Sequence, residues 1–142
     1  SAFAPDPRPV ARQLGIEERV RFIGWVDEAD KPALYAGALG FAFPSRYEGF
    51  GLPVLEAMAC GTPAIVGAGS SLEEVGGPGC LAVPPDDTDA LAEALCRLAD
   101  DPSLRAELAE RGLAHARTFT WAHTAEQTIA AYEWALRGGA RR

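Results

Sequence analysis

Short apolar runs alternate with helix-like segments along the first two thirds of the chain, and this order constrains the fold more than any other feature. Strands are predicted at 19–24, 39–43, 64–66 and 80–83, and helical segments at 7–14, 53–60 and 71–75. A further helix is predicted to begin at Asp27 or Asp30 and to continue to Ala38. Such alternation with short connections produces right-handed crossovers and a parallel sheet. The runs lack polar alternation, which is typical of strands buried on both faces. We therefore predict an α/β fold with a parallel sheet covered by helices on both faces.

The last third of the chain has a different pattern, with apolar residues recurring at three- and four-residue spacing. This spacing predicts three helices, at 87–99, 102–117 and 121–136. Their caps are predicted to be Asp87 or Thr88, then Asp101 and Thr120. The sequence thus predicts one domain over 1–137 with an all-helical end, followed by a flexible tail at 138–142.

Composition excludes several classes of partner. The formal charge is -7 and Lys31 is the only lysine, which argues against nucleic acid, because phosphate binding needs clustered cations. No apolar run approaches the roughly 20 residues that span a bilayer, and the first residues lack the pattern of a secretory signal. The three cysteines form no CxxC pair, which suits a reducing compartment. We expect a cytoplasmic protein with no membrane span, no nucleic-acid partner and no metal site.

The segment 43–61 carries the chemistry, because it leaves a predicted strand at the edge where parallel sheets bind ligands. Gly49 and Gly51 allow close approach of a ligand to the backbone. The next helix begins near Pro53, whose missing N–H costs nothing at that position. The amides of Gly51 and Leu52 are then expected to point outward at a positive helix end, which favours a phosphate.

Two carboxylates, Glu48 and Glu56, bracket this predicted anion site. A carboxylate only accepts hydrogen bonds, so each is suited to hydroxyl groups such as those of a ribose or a hexose. A nucleotide sugar supplies both, joined by a diphosphate. The alternative is a pair of solvated surface glutamates, and the glycine pattern between them favours the donor site.

The run EGFGLPVLEAMA at 48–59 resembles the signature of group 1 glycosyltransferases, family 4 enzymes with the GT-B fold. Segments 22–26, 61–63 and 119–121 also resemble segments of that family and lie in the same order, so the resemblance covers nearly the whole chain. It implies a Rossmann-like carboxyl-terminal domain that binds the sugar donor, facing an acceptor domain across a cleft. It also implies transfer of a hexose with retention of configuration, without a bound metal or cofactor.

The resemblance further assigns roles to individual residues. Glu48 is expected to be catalytic, contacting the donor sugar and placing its anomeric carbon. Glu56 would hold the ribose hydroxyls, and the backbone near Val26 would contact the base. The remaining donor contacts are expected from backbone groups of the glycine-rich loop, namely Gly49, Phe50, Gly51 and Leu52, with the Leu52 amide at the diphosphate.

Part of the family's pattern is missing from this sequence. The donor domain of the family usually begins with two further strands, a glycine-rich turn and a basic pair at the diphosphate, and an acceptor domain precedes it. We therefore expect a domain truncated at its amino end. We expect it to be inactive alone, because holding the acceptor in place is worth about 7–11 kcal/mol. A truncated sheet edge would favour a homodimer, and the full-length protein would contact a membrane peripherally.

The predicted function is the donor-binding half of a retaining hexosyltransferase with an unknown acceptor. The pattern at 70–76 is similar to mannosyltransferases of surface-polysaccharide assembly, which favours GDP-mannose, with UDP-glucose as the alternative donor. Three other functions stay open. They are a non-catalytic nucleotide-binding or regulatory module, a sugar phosphorylase or nucleotide-sugar epimerase, and a purely structural interaction domain.

Overall fold

The computed structural model describes residues 6–138, which fall into two units that divide between Asp30 and Lys31. In the first unit, helix α1 covers Arg8–Gln13 and is preceded by Asp6, whose carboxylate accepts the N–H of Arg8 at 3.0 Å. The helix is followed by Gly15 with φ 66°, the left-handed stop that the sequence predicts. Of the predicted tail at 138–142, only Gly138 lies within the described residues.

The prediction of a strand at 19–24 is wrong. A 3-10 turn occupies Glu17–Arg19, and no strand is assigned among residues 6–30. Val20 does adopt extended backbone angles, with φ -113° and ψ 122°. A strand also needs a hydrogen-bonded neighbour, and within the described part of this unit the segment has none.

The second unit contains six helices and three strands within its described residues. They are α2 (Lys31–Ala36), β1 (Phe41–Phe43), α3 (Leu52–Ala59), β2 (Ala64–Gly67), α4 (Ser71–Gly76), β3 (Cys80–Val83), α5 (Thr88–Asp100), α6 (Pro102–Ala116) and α7 (Trp121–Leu136). A 3-10 turn at Gly77–Gly79 joins α4 to β3. The predicted alternation of strand and helix is therefore confirmed for this unit.

The sheet has the order β1-β2-β3, and all its strands are parallel. Ala64 of β2 lies opposite Phe41 on one side and Cys80 on the other. Every residue of β2 is buried, whereas β1 and β3 are only partly buried. Burial on both faces thus explains the unbroken apolar run of the central strand.

Two apolar clusters cover the two faces of β2, whose successive side chains point in opposite directions. Ala64 and Val66 pack into the first cluster, with α3, α4 and α6. Ile65 packs into the second, with α5 and α6. The buried helix residues of the clusters are Val54, Met58, Leu72 and Ala116 in the first and Ala94, Leu98 and Leu108 in the second. The predicted coverage of both faces is confirmed.

Side chains cap the last three helices as the sequence predicts. Asp87, Asp101 and Thr120 each accept a backbone N–H from the first turn of α5, α6 and α7, at 2.9 to 3.1 Å. Helix α7 buries none of its residues within the described part of the chain, and Trp121 at its start is 89% exposed. Over residues 6–138, no helix has both the length and the apolar character that a membrane crossing requires.

Candidate functional site

The segment 44–51, here called the motif loop, connects the carboxyl end of β1 to the start of α3. Because the three strands are parallel, the loops after β2 and β3 begin at this same edge of the sheet. An exposed ion pair between Arg46 of the motif loop and Asp86 of the β3–α5 loop joins two of these loops, with Nε to Oδ1 at 2.7 Å. The motif loop therefore lies where open α/β sheets bind ligands.

Close backbone contact positions the first half of the motif loop. A Cβ added at Gly67, the last residue of β2, would lie less than 3.0 Å from the Ser45 carbonyl oxygen and 3.4 Å from the Pro44 carbonyl carbon. Only glycine lets the two backbones approach this closely. The end of β2 thus determines the path of the chain as it leaves β1.

The two glycines of the motif loop differ in what the fold requires of them. Gly51 has φ 105°, and a Cβ there would lie 2.5 Å from Cδ2 of the fully buried Leu72. Both the backbone conformation and the packing therefore require glycine at this position. Gly49 has neither constraint, because its φ is not positive and no atom lies within 4 Å of an added Cβ.

The first turn of α3 presents free backbone donors. Gly51 is the N-cap residue, and no side chain caps the helix. Pro53 lacks an N–H, and the amides of Phe50, Gly51 and Leu52 make no hydrogen bond to any residue in 6–138. Together with the positive end of the helix dipole, these donors form an arrangement suited to an anion.

The two glutamates are held in different ways. Glu48 is half-buried, and its main-chain carbonyl accepts the Ser71 hydroxyl at 2.7 Å, while its carboxylate has no hydrogen bond or ion pair to the described residues. Glu56 lies on the second turn of α3, also half-buried, and its Oε2 accepts the Tyr35 hydroxyl at 3.2 Å. Each carboxylate therefore keeps free acceptor positions for hydroxyl groups.

Phe50 contributes its side chain to packing. Its ring lies edge-on to that of Phe119, with 6.0 Å between centroids, and Phe119 lies edge-on to His115 at 5.1 Å. The Nε2 atom of His115 is buried without a hydrogen-bond partner in the described part of the chain. These contacts attach the motif loop to the end of α6, and they leave the Phe50 amide available.

Residues 8–115 match the family of glycosyl transferases group 1. The chain belongs to this family. This match confirms the predicted membership of group 1, and it covers most of the chain and the whole motif loop.

Relatives of this group 1 chain include the O-antigen chain mannosyltransferase B of Escherichia coli, 45% identical over 114 residues, 80% of this chain and 30% of that protein. Among solved structures, sucrose-phosphate synthase from Thermosynechococcus elongatus has a TM-score of 0.80 and 34% identity, covering 91% of this chain and 33% of that one. HepE of Anabaena, in complex with UDP and glucose, has a TM-score of 0.75 and 28% identity over 88% of this chain and 34% of that one.

The chain therefore spans about a third of the length of these relatives. The predicted fold class, an α/β domain of the GT-B type with a parallel sheet between helices, is confirmed by the topology and by these structures.

The structure of this group 1 domain places six of the seven predicted site residues together, on the motif loop and the start of α3. The seventh, Val26, lies in the other unit, in a stretch without helix or strand, and its contact with a base stays a prediction. Among residues 6–138, no group of three or more His, Cys, Asp or Glu side chains could hold a metal ion.

Sequence reasoning missed the contribution of Tyr35, which contacts Glu56 from 21 positions away. It also missed Gly67 and Phe119, which hold the motif loop in place. For Gly67 a signal was present, because a glycine at the end of a buried strand marks close backbone approach. For the two aromatic residues, no spacing in the sequence indicates the contact.

Proposed function

We propose that this chain is the donor-binding part of a retaining group 1 glycosyltransferase, which transfers a hexose from a nucleoside diphosphate sugar to an acceptor. The observation that carries the proposal is the motif loop itself. It combines three unpaired amides at a helix start with two half-buried carboxylates, all at the ligand-binding edge of a parallel sheet. A molecule with an anionic centre and hydroxyl groups on either side matches this arrangement.

The diphosphate would lie against the start of α3. The Leu52 amide belongs to the first helical residue, and the dipole of a helix places roughly +0.5 charge at this end. The amides of Phe50 and Gly51 precede it and would bind hydroxyl groups of the donor sugar. These donors are set by the backbone of the fold, so they need no rearrangement when the ligand arrives.

The two carboxylates would divide the sugar and the nucleoside between them. Glu56, inside α3, would accept hydrogen bonds from the ribose hydroxyls. Glu48, on the motif loop, would contact the hexose and place its anomeric carbon for attack. In the reaction Glu48 would act by orienting the donor and by stabilising the positive charge that develops at that carbon. We assign it no covalent bond to the sugar.

Similarity to known proteins supports a choice of donors. The 45% identity to an O-antigen chain mannosyltransferase favours GDP-mannose. The likeness to a structure in complex with UDP and glucose supports UDP-glucose as the second candidate. Membership of family 4, retention of configuration, and reaction without a metal or cofactor complete the proposal. A further domain would hold the acceptor.

Calorimetric titration of the chain with UDP, GDP and ADP tests the donor site. We expect one of them to bind, and Glu56→Ala to weaken that binding by about 1–3 kcal/mol, the scale for removing one partner of a hydrogen bond. The matched control is Glu126→Ala, which removes an exposed glutamate of α7 and should leave the affinity unchanged.

Repeating the titration with the matching nucleotide sugars separates the two glutamates. Glu48→Ala should weaken binding of the nucleotide sugar and leave binding of the nucleotide alone unchanged. Equal affinities of the wild type and Glu56→Ala, or no binding of any of the three nucleotides, would contradict the proposal.

A further inference from the structure

Tyr35 connects helix α2 to one of the two site carboxylates. It lies on α2, and its hydroxyl donates to Oε2 of Glu56 on α3 at 3.2 Å. The other carboxylate oxygen, Oε1, has no hydrogen-bond partner among the described residues. One oxygen of Glu56 is thus held by the protein, and the other is free to accept from a ligand.

Two further contacts fix the position of Tyr35. Its main-chain carbonyl accepts the Thr62 hydroxyl at 2.6 Å, and Thr62 is only 2% exposed. Its ring lies edge-on to Phe41 of β1, with 5.4 Å between centroids and an interplanar angle of 89°. One anchor belongs to the sheet and the other to the turn before β2, and together they hold the backbone and the ring of Tyr35 in place.

We infer that Tyr35 is a positioning residue for Glu56 and so contributes to recognition of the ribose diol. This inference rests on the proposed function, in which Glu56 accepts hydrogen bonds from the ribose. A glutamate side chain has three rotatable bonds, and restricting them on binding costs free energy. A hydrogen bond that selects one orientation beforehand removes part of this cost from the binding step. Oε1 is then presented to the ligand, with the remaining acceptor capacity of Oε2 beside it.

The hydroxyl is separable from the ring. In Tyr35→Phe the edge-on contact with Phe41 and the main-chain hydrogen bond from Thr62 are retained, and the hydrogen bond to Glu56 is lost. The variant therefore tests positioning rather than packing. Tyr132→Phe, which removes the hydroxyl of an exposed tyrosine on α7, is the matched control.

The experiment titrates the chain with whichever of UDP, GDP and ADP it binds, and then with the 2′,3′-dideoxy form of the same nucleotide. We expect Tyr35→Phe to raise the Kd for the ribonucleotide about three- to tenfold, which lies in the range for the net contribution of one ordinary hydrogen bond. The Kd for the dideoxy form should be the same in Tyr35→Phe and in the wild type. In a Glu56→Ala background, Tyr35→Phe should cause no additional loss.

The outcomes separate this inference from the proposed function. If Glu56→Ala weakens binding and Tyr35→Phe does not, the role of Tyr35 is refuted while the donor site stands. Equal losses for the ribonucleotide and the dideoxy form would also refute it, because they would indicate a general disturbance of the fold. If Glu56→Ala binds as the wild type does, or no nucleotide binds, the proposed function fails and the inference fails with it.

Discussion

Replacement of Gly67 with alanine should displace the motif loop and destabilise the whole domain. The new Cβ would meet three backbone atoms, the Ser45 carbonyl oxygen at less than 3.0 Å, the Ser45 carbonyl carbon at 3.2 Å and the Pro44 carbonyl carbon at 3.4 Å. Gly67 itself is held in the sheet opposite Val83. No side chain can rotate away to relieve these contacts, so one of two backbone segments must move.

The expected loss is at the upper end of the range for overpacking. Added methyl groups in packed regions typically cost about 1–3 kcal/mol, and we expect about 3 kcal/mol here because relief requires backbone movement. Unfolding entropies of roughly 2 cal/mol/K per residue then predict a Tm lowered by about 10 °C for a chain of 142 residues. Nucleotide binding should be lost as well, since the displaced segment leads directly into the glycine-rich part of the motif loop.

Gly49→Ala is the matched control, because it makes the same chemical change in the loop that Gly67 contacts. Its φ is not positive and its added Cβ would meet no atom within 4 Å, so its free energy of unfolding should be unchanged or raised by up to about 1 kcal/mol. Urea denaturation and thermal melting of both variants measure the difference. Equal midpoints for Gly67→Ala and Gly49→Ala would refute the reasoning, because the loop would then be free to move away from β2.

Three further predictions concern groups around the sheet. Burial, together with the nearby Glu73 carboxylate, raises the pKa of Cys80 from 9.0 to about 11. Iodoacetamide at pH 9 should therefore label the exposed Cys96 well before Cys80, and peptide mass mapping measures the order of labelling. Because the unfolded thiol loses its proton at lower pH than the folded one, stability should fall as pH rises from 9 towards 11, and Cys80→Ala should lose this dependence in urea titrations at several pH values. Ser71→Ala removes the hydrogen bond to the motif-loop carbonyl and should cost about 1 kcal/mol of unfolding free energy, whereas Ser103→Ala, on the exposed start of α6, should cost less. Arg46→Ala breaks an exposed ion pair and should change the urea midpoint by less than the equivalent of about 1 kcal/mol; a larger loss would show a structural role beyond that pair.

Local signals predicted most of the helices and strands. The strand at Cys80–Val83 has the predicted bounds, and α5, α6 and α7 each begin at a predicted cap. These features depend on residues within a few positions of one another, which a single sequence displays. The segment 19–24 shows the limit of such signals. Val20 is extended, as the β-branched and aromatic composition predicts, but a strand is defined by a partner that local composition does not contain.

The candidate site shows the same division between local and distant information. The glycine pattern and Pro53 predicted a helix start with free amides, and α3 begins one residue earlier with Gly51 as its cap. The supports of that loop come from elsewhere in the chain, from Gly67 on β2 and from Phe119 after α6. Such contacts arise from the topology of the sheet, and only the folded chain shows which distant residues meet.

The two proposed ligand carboxylates are held in different ways, and this difference suits the ligand. Glu56 belongs to a helix and is held by the Tyr35 hydroxyl, so its carboxylate is oriented before binding. Glu48 is fixed only through its main-chain carbonyl, by Ser71, and its carboxylate has no partner among the described residues. In the proposed function, the ribose is the part that all nucleotide donors share, and the hexose is the part that changes its hydroxyl configuration between donors and passes through a transition state. A carboxylate with a protein hydrogen-bond partner at the ribose and one without such a partner at the hexose therefore place preorganisation where the ligand is constant and free acceptor positions where its charge and geometry change.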